Sequence, residues 1–233
     1  MQQQHPRAEL YTDEHGYQLI GYGREAALYR KPAAKVVHKF WRQDWVLAHY
    51  PIFRSGKRYF TRAASRAAER FTRADSENRH DLIEKERSDV PHHGIPIDDF
   101  RRITLILSVA SQDLIRQART LGIPTPKVAR AIPHPTKPLY VLEISDLSKK
   151  GHSILTGNEL YNENKRQRIE NYRELLDAIK EDEKKLAERG YVQDLKNHPA
   201  NSSWIIRINN RTRIAERFFC DVTNMTMLAE KQK

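Results

Sequence analysis

The sequence is poor in cysteine and glycine and has no long apolar run. Its 233 residues include one cysteine, Cys220, and nine glycines. A single cysteine excludes an internal disulfide and a structural zinc site built from several cysteines. No stretch approaches the roughly 20 apolar residues that span a bilayer, and the first residues have no apolar signal-peptide core. We therefore expect a globular protein that is synthesised in the cytoplasm and stabilised by packing.

Acidic residues are in deficit. There are 30 Asp and Glu against 41 Lys and Arg, which gives a formal net charge of +11. Such an excess favours anionic partners, namely nucleotides, nucleic acid, phospholipid or an acidic protein surface. Four arginines recur at helical spacing, and they form either a solvated helix face or a site for an acidic protein or a phosphate-bearing partner: Arg62, Arg66, Arg70 and Arg73. The tryptophans are not interleaved with this arginine stripe, which argues against binding of single-stranded nucleic acid.

The first half of the chain has the pattern of a small antiparallel sheet with a helix. Strands are predicted over 17–23, 25–30 and 33–40, with a glycine turn and a Lys-Pro turn between them. A basic helical insertion and a loop are expected over about 50–99, followed by an amphipathic helix over 100–121 that ends at Gly122. The segments PKVARAI and LYVLEI predict two further strands.

The second half begins with helix-forming residues. One apolar helix face is predicted from Ile169, Tyr172, Leu176, Ile179 and Leu186. Gly190 ends this helix, and the loop YVQDLKNHPAN follows it. The strand SWIIRI, an Asn-Asn turn suited to positive φ and a strand ending in FFCDV complete the chain. We expect an α+β protein with one lobe over 1–145 and a second lobe over 146–233.

The order of these elements and several of their motifs resemble the protein kinase-like superfamily. IGYGREAALY resembles its glycine-rich loop and is similar to the loop of the small Bud32/Kae1-associated kinases. The third-helix region of those kinases and of RIO-type and aminoglycoside kinases is similar to the segment SVASQDLIRQARTLGIPTPKV. The segment VLEISDLS looks like the strand and hinge that face adenine. The segment RGYVQDLKNHPAN resembles a catalytic loop. The resemblance implies a bilobal kinase-like fold, with an antiparallel N-lobe sheet plus helix and a reduced helical C-lobe. It also implies the activity of an atypical, minimal serine/threonine protein kinase, similar to certain small bacterial effector kinases.

The resemblance further implies a site for ATP in the first lobe. Gly21 and Gly23 would let the loop backbone approach the phosphates. Lys35 would be the cation on the α and β phosphates, with Lys39 of the same predicted strand as the alternative. The strand segment at Glu143 and Ile144 would present backbone groups to adenine.

The catalytic and metal-binding residues are implied in the second lobe. Asp194 would be the catalytic base that orients the substrate hydroxyl, and Lys196 would neutralise the γ phosphate. Asn201 and Asp221 would hold magnesium. Because position 199 is proline, Asn201 as a ligand requires a loop two residues longer than the family pattern, and Asn197 is the alternative ligand.

Two departures from the family pattern leave the activity open. The family's DFG triplet is replaced by Asp221-Val222-Thr223. The helix glutamate that pairs with the strand lysine falls near Ser111, so that Asp113, or Glu84 or Glu86 of the insertion, would have to replace it. The alternatives to a protein kinase are a pseudokinase-like binding module, a small-molecule kinase and a basic nucleic-acid-binding protein.

Overall fold

The structure is a computed structural model that describes residues 17–22, 26–31, 35–42, 46, 97–134, 137, 139–161, 168–193, 203–220 and 225–227. Within these residues the chain is an α+β protein with antiparallel sheets, as the sequence predicts. The arginine stripe and the rest of the predicted insertion up to residue 96 lie outside the described residues.

The first sheet has five strands. They are β1 (Gln18–Tyr22), β2 (Ala26–Lys31), β3 (Val36–Trp41), β4 (Ala129–Pro133) and β5 (Tyr140–Ser145). Their order is β1-β2-β3-β5-β4, and every neighbouring pair is antiparallel. All six residues of β3 are buried, which explains why its sequence VVHKFW is mostly apolar and aromatic although it includes two basic side chains.

A long helix, α1 (Ile97–Thr120), comes between β3 and β4 along the chain. Its first turn carries Asp98 and Asp99 and its last turn Arg119, which complements the helix dipole. Gly122 follows in the left-handed region at φ 74°, so the predicted helix stop is confirmed. Phe100, Ile103 and Leu107 of α1 form one core cluster with residues of the sheet that include Tyr29 and Phe40.

The second half of the chain has a helix and a three-stranded sheet. The helix α2 (Tyr172–Glu188) packs against β9 (Ala215–Phe219), which follows β8 (Trp204–Asn209) in an antiparallel hairpin. Both strands and the helix are predicted from the sequence. The third strand, β6 (His152–Thr156), pairs with the other side of β8 and lies where the sequence composition indicates only helix. Short strands β7 (Tyr191–Gln193) and β10 (Met225–Met227) form a separate pair.

Two local predictions in this half are wrong. The buried face of α2 consists of Leu175, Ile179, Asp182 and Leu186, so Leu175 replaces the predicted Leu176 and a carboxylate joins the apolar face. In the β8–β9 turn, positive φ falls on Arg213 (58°) and not on the Asn-Asn pair. The reason is that the Asn209 side-chain oxygen accepts hydrogen bonds from the backbone N–H groups of Arg211 (2.9 Å) and Thr212 (3.1 Å), which closes the turn without a left-handed asparagine.

The chain forms two compact units. The first contains the described residues up to Gln112 together with Val128–Asp146, and the second contains Asp113–Lys127 together with the described residues from Leu147 onward. The sequence-based division at 145/146 lies one residue before the boundary between Asp146 and Leu147. The end of α1 and the turn after it, however, group with the second unit.

Candidate functional site

The residues that the resemblance assigns to catalysis and to magnesium lie outside the described residues: Asp194, Lys196, Asn201 and Asp221, and with them the alternative ligand Asn197. Gly23 of the predicted phosphate loop lies outside them too. The described part of the predicted site is therefore the five-stranded sheet of the first unit. The strands of this sheet contain Gly21, Lys39 and the segment Glu143–Ile144, and Lys35 lies directly before the third strand.

Gly21 lies in β1, directly after a one-residue shift in the pairing of this strand with β2. Its Cα partner is Leu28, whereas the preceding pair is Leu19 with Tyr29, so the register shifts between Leu19 and Gly21. A glycine beside such an irregularity lets the backbone approach another group closely, because no Cβ intervenes. This geometry suits the role that the resemblance gives to Gly21.

Lys35 does not lie on a strand. The predicted third strand includes it, but β3 begins one residue later at Val36. Lys35 is exposed and occupies the last position of the β2–β3 turn at φ 51°. Its carbonyl accepts a hydrogen bond from the backbone N–H of Asp146 (2.9 Å), and the Asp146 carboxylate forms an ion pair with Arg30 at 2.7 Å. The backbone of Lys35 therefore fixes the end of β5.

The backbone of Lys35 leads to a stability prediction. A left-handed conformation costs an L-residue about 1–2 kcal/mol, and glycine avoids this cost but loses about 0.5–1 kcal/mol of chain entropy. We expect Lys35→Gly to raise the free energy of unfolding by about 0.5 kcal/mol and Lys35→Val to lower it by about 1 kcal/mol or more. Urea unfolding of the two variants beside the wild type measures both changes. Equal stability of Lys35→Val and the wild type would contradict the left-handed turn.

Lys39 is the lysine on the third strand. It lies within β3 between Leu28 of β2 and Leu142 of β5, and it is 6% exposed. Its ammonium group lies 4.3 Å from the ring centroid of Trp41, the residue two positions further along the same strand face. The indole ring stabilises a cation that has little water around it. Because little water screens such a cation, its attraction to a phosphate is also stronger.

Glu143 is a buried carboxylate on β5, between the central strand β3 and the edge strand β4. It lies on β5 opposite His38 of β3 on one side and Arg130 of β4 on the other. The His38 Nε2 is 2.9 Å from one carboxylate oxygen, and the Arg130 Nε donates to the other. The Glu143 and His38 side chains are 8% and 4% exposed, whereas that of Arg130 is 63% exposed. The carboxylate is therefore shared between a buried ring and a solvated cation.

Burial and hydrogen bonding act in opposite directions on this pair. Burial raises the pKa of the Glu143 carboxyl, but the hydrogen bonds from Arg130 and His38 outweigh it and hold the pKa below the usual value. Burial lowers the pKa of the His38 imidazole, and the bond to Glu143 offsets this only in part. The neutral His38 thus donates through Nε2, and its Nδ1 has no hydrogen-bond partner among the described residues. Burial also raises the pKa of Tyr17, whose ring centroid lies 5.0 Å from that of His38.

Glu143 and Ile144 do not offer free backbone groups. Glu143 has Cα partners on β3 and β4, and so does Ile144, which lies opposite Val37 and Ala129. In a strand with neighbours on both sides, the backbone N–H and C=O groups belong to the two ladders. The adenine contacts that the resemblance assigns to this segment would therefore have to come from residues beyond the end of β5.

The helix position expected to hold a glutamate is occupied by Ser111. This side chain is fully buried in α1, and its hydroxyl has no hydrogen-bond partner among the described residues. One turn earlier, Ser108 accepts a hydrogen bond from the indole N–H of Trp41 at 3.0 Å. Ser108 therefore links α1 to the end of β3. Asp113, the nearby acidic residue, is half-buried.

The second unit has a buried ionic cluster that the sequence analysis misses. Asp182 of α2 is 1% exposed and accepts a hydrogen bond from Arg217 of β9 at 2.6 Å. Its neighbour Glu183 accepts one from the Trp204 indole at 3.2 Å. Burial raises the pKa of Glu183, the bond from Trp204 opposes this, and the charge of Asp182 adds to the rise. Asp182 is three residues after Ile179, and residues at this spacing lie on the same face of a helix. This spacing is the signal in the sequence that an acidic residue lies on the apolar face of α2.

No family model, curated protein or solved structure matches the chain. Within the described residues, no three His, Cys, Asp or Glu side chains come together as a candidate metal site. Of the described helices, none has both the length and the apolar character needed to cross a bilayer. The described residues thus define an α+β protein whose first unit is a five-stranded antiparallel sheet, with a lysine buried on its third strand.

Proposed function

We propose that this protein is an ATP- and magnesium-dependent phosphotransferase, a minimal serine/threonine protein kinase with a bilobal kinase-like fold. The observation that carries the proposal is the buried Lys39 on the third strand of an antiparallel sheet. Protein kinases cover the nucleotide phosphates with a glycine-rich loop and bind them with a lysine on the third strand. Here the strand follows a hairpin with Gly21 at an irregular position and precedes the long helix α1. This is the element order that the motif resemblance implies.

The assignment of the phosphate cation changes from Lys35 to Lys39. Lys35 ends a turn, so its side chain is attached to backbone that also sets the end of β5. Lys39 lies on the central strand, whose backbone is held by pairing with β2 and β5 on its two sides. A lysine that binds phosphate needs such a rigid backbone, because phosphoryl transfer depends on the positions of the reacting groups.

The remaining roles rest on the motifs. Bound magnesium-ATP supplies the phosphoryl group. Asp194 would accept the proton of the substrate hydroxyl, and Lys196 would pair with the γ phosphate. Asn201 and Asp221 would provide the oxygen ligands that magnesium prefers. All four residues come from the loop and strand-end motifs of the sequence.

A second function is favoured by one observation, the buried serine on α1. Ser111 cannot form the ion pair with the strand lysine that a glutamate forms in active protein kinases. A kinase-like protein whose α1 lacks this glutamate could bind nucleotide as a pseudokinase-like module and not transfer phosphate. The two functions differ in turnover and agree in nucleotide binding.

Incubation with labelled ATP and magnesium tests the proposal. The wild type should label its own serine or threonine residues, or those of a general protein substrate, and chelation of magnesium should abolish the label. We expect Asp194→Asn to reduce the rate by about a hundredfold or more, because a positioned base contributes about 10²–10⁴. Circular dichroism of the variant controls for folding. Nucleotide binding without label in the wild type would support the module, and equal labelling by both proteins would refute the role of Asp194.

A further inference from the structure

A basic surface lies at one end of the three-stranded sheet. At this end β6 begins, β8 ends and β9 begins, as the pairs His152 with Asn209 and Ile208 with Ala215 show. We call it the basic end and define it as residues 148–152, 168–170 and 209–214. The sequence places these three segments far apart, and the tertiary structure brings them together.

Backbone contacts join the three segments. The N–H of Asn210 in the β8–β9 turn donates to the carbonyl of Gly151 at 3.0 Å. On the other side of the turn, the N–H of Glu170 donates to the carbonyl of Arg213 at 3.1 Å, and the Arg213 Nε is 3.4 Å from the carbonyl of Arg168. Because these contacts fix the backbone, the side chains of the basic end project from a defined surface.

The charge of the basic end is strongly positive. Its lysines and arginines are all exposed: Lys149, Lys150, Arg168, Arg211 and Arg213. The segments contain one acidic residue, Glu170, which lies 3.0 Å from Arg213. A surface with this excess of positive charge attracts a partner that carries many closely spaced negative charges.

An apolar side chain projects from the same turn. Ile214 follows Arg213 directly and is 51% exposed, more than any other large apolar side chain of the described residues. The three segments contain no phenylalanine, tyrosine or tryptophan on which a nucleic-acid base could stack. An exposed apolar residue on a surface rich in lysine and arginine matches the interface of a membrane, where the apolar group enters the acyl boundary and the cations meet the headgroups.

We propose that the basic end docks on a membrane surface that contains anionic phospholipid. Lys149, Arg168 and Arg211 would contact headgroup phosphates, and Ile214 would enter the interface. The inference is independent of the proposed phosphotransferase activity, because it rests on a surface of the second unit that contains none of the residues assigned to ATP.

Vesicle sedimentation with the full chain tests the docking surface. The wild type should bind vesicles of phosphatidylcholine with phosphatidylserine and not those of phosphatidylcholine alone. Each lysine or arginine near an anionic membrane strengthens binding about fivefold, so the triple variant Lys149→Glu, Arg168→Glu, Arg211→Glu should weaken it by about a hundredfold or more. A separate variant, Ile214→Ser, should weaken binding to the anionic vesicles without any change of charge.

A matched control separates the surface from the net charge. Arg173, Lys180 and Lys184 lie exposed on α2, and their triple replacement by glutamate changes the net charge of the protein by the same amount. This variant should retain most of the vesicle binding. Equal losses in the two triple variants, or no binding by the wild type, would overturn the proposal. A loss of binding to a short RNA duplex in the first variant, with vesicle binding intact, would assign the basic end to nucleic acid instead.

Discussion

Replacement of Lys39 by methionine should lower magnesium-dependent phosphoryl transfer by about a hundredfold or more, and the same replacement at Lys35 should change it by less than about threefold. Removal of one preorganised group that stabilises transition-state charge costs about 10²–10³ in rate, whereas loss of an exposed turn cation costs little. We expect different effects of the two replacements because Lys39 is buried within β3, whereas Lys35 is exposed in the turn directly before β3. Initial rates with labelled ATP measure both variants.

Two further measurements keep this result interpretable. Lys39→Arg retains the positive charge over Trp41 and should retain more nucleotide binding than Lys39→Met, measured as the thermal shift on addition of magnesium-ATP. Circular dichroism shows whether each variant is folded. A larger rate defect in Lys35→Met than in Lys39→Met would show that Lys35 binds the phosphates and would contradict the assignment of this role to Lys39.

Replacement of Glu143 by glutamine should lower the free energy of unfolding at pH 7 by about 2 kcal/mol. The carboxylate forms a buried hydrogen bond with His38 and a second one with Arg130, and hydrogen bonds to charged groups contribute about 1.5–3 kcal/mol each. The Arg130 contribution is smaller than this, because that side chain is largely exposed and water screens it. Arg130→Gln should therefore cost less than about 1 kcal/mol. Urea unfolding at pH 7 compares the two variants.

The same pair makes stability depend on pH. The pKa of His38 in the folded protein lies below its ordinary value of 6.5, so the unfolded chain takes up the proton first as the pH falls. The contribution of this pKa difference to the free energy of unfolding is fully present above pH 6.5. It decreases as the pH falls from there through the lower pKa of His38 in the folded protein. The pKa of Glu143 also lies below its ordinary 4.5, so a second loss begins near that pH. We expect wild-type unfolding free energy to fall in these two stages.

His38→Phe isolates the first stage. Phenylalanine retains a ring beside Tyr17 and Phe40 but does not titrate, so the loss of stability between pH 7 and about 5 should largely disappear. Chemical unfolding at several pH values measures the slope. If His38→Phe retains the wild-type slope in this range, the titrating group lies elsewhere.

Much of the fold can be predicted from the sequence because local patterns determine it. β1 to β3 follow from alternation and β-branched or aromatic residues around turn residues, and Gly122 ends α1 because glycine adopts positive φ at φ 74° without strain. The β8–β9 hairpin also follows from its pattern. The strand β6 is missed because its segment HSILT is short, and its pairing with β8 joins residues that are far apart in sequence.

The candidate site is predictable only in part for the same reason. The sequence nominates two lysines four residues apart, and the start of β3 at Val36, set by pairing with β2 and β5, places Lys39 in the sheet and Lys35 in a turn. The pattern VLEI shows a charged residue within an apolar strand, but it does not name its partners. His38 and Arg130 become those partners through strand register alone.

The sequence by itself determined the α+β fold class, the excess of positive charge, and the places of most strands and of both long helices among the described residues. These depend on residue type and short spacing, which act within a few residues along the chain. Only the tertiary structure decided which lysine is buried, which side chains neutralise Glu143 and Asp182, and which turns form the basic end. Each of these depends on pairing between distant segments, and the free energy of burying a charge depends on the groups that such pairing places around it.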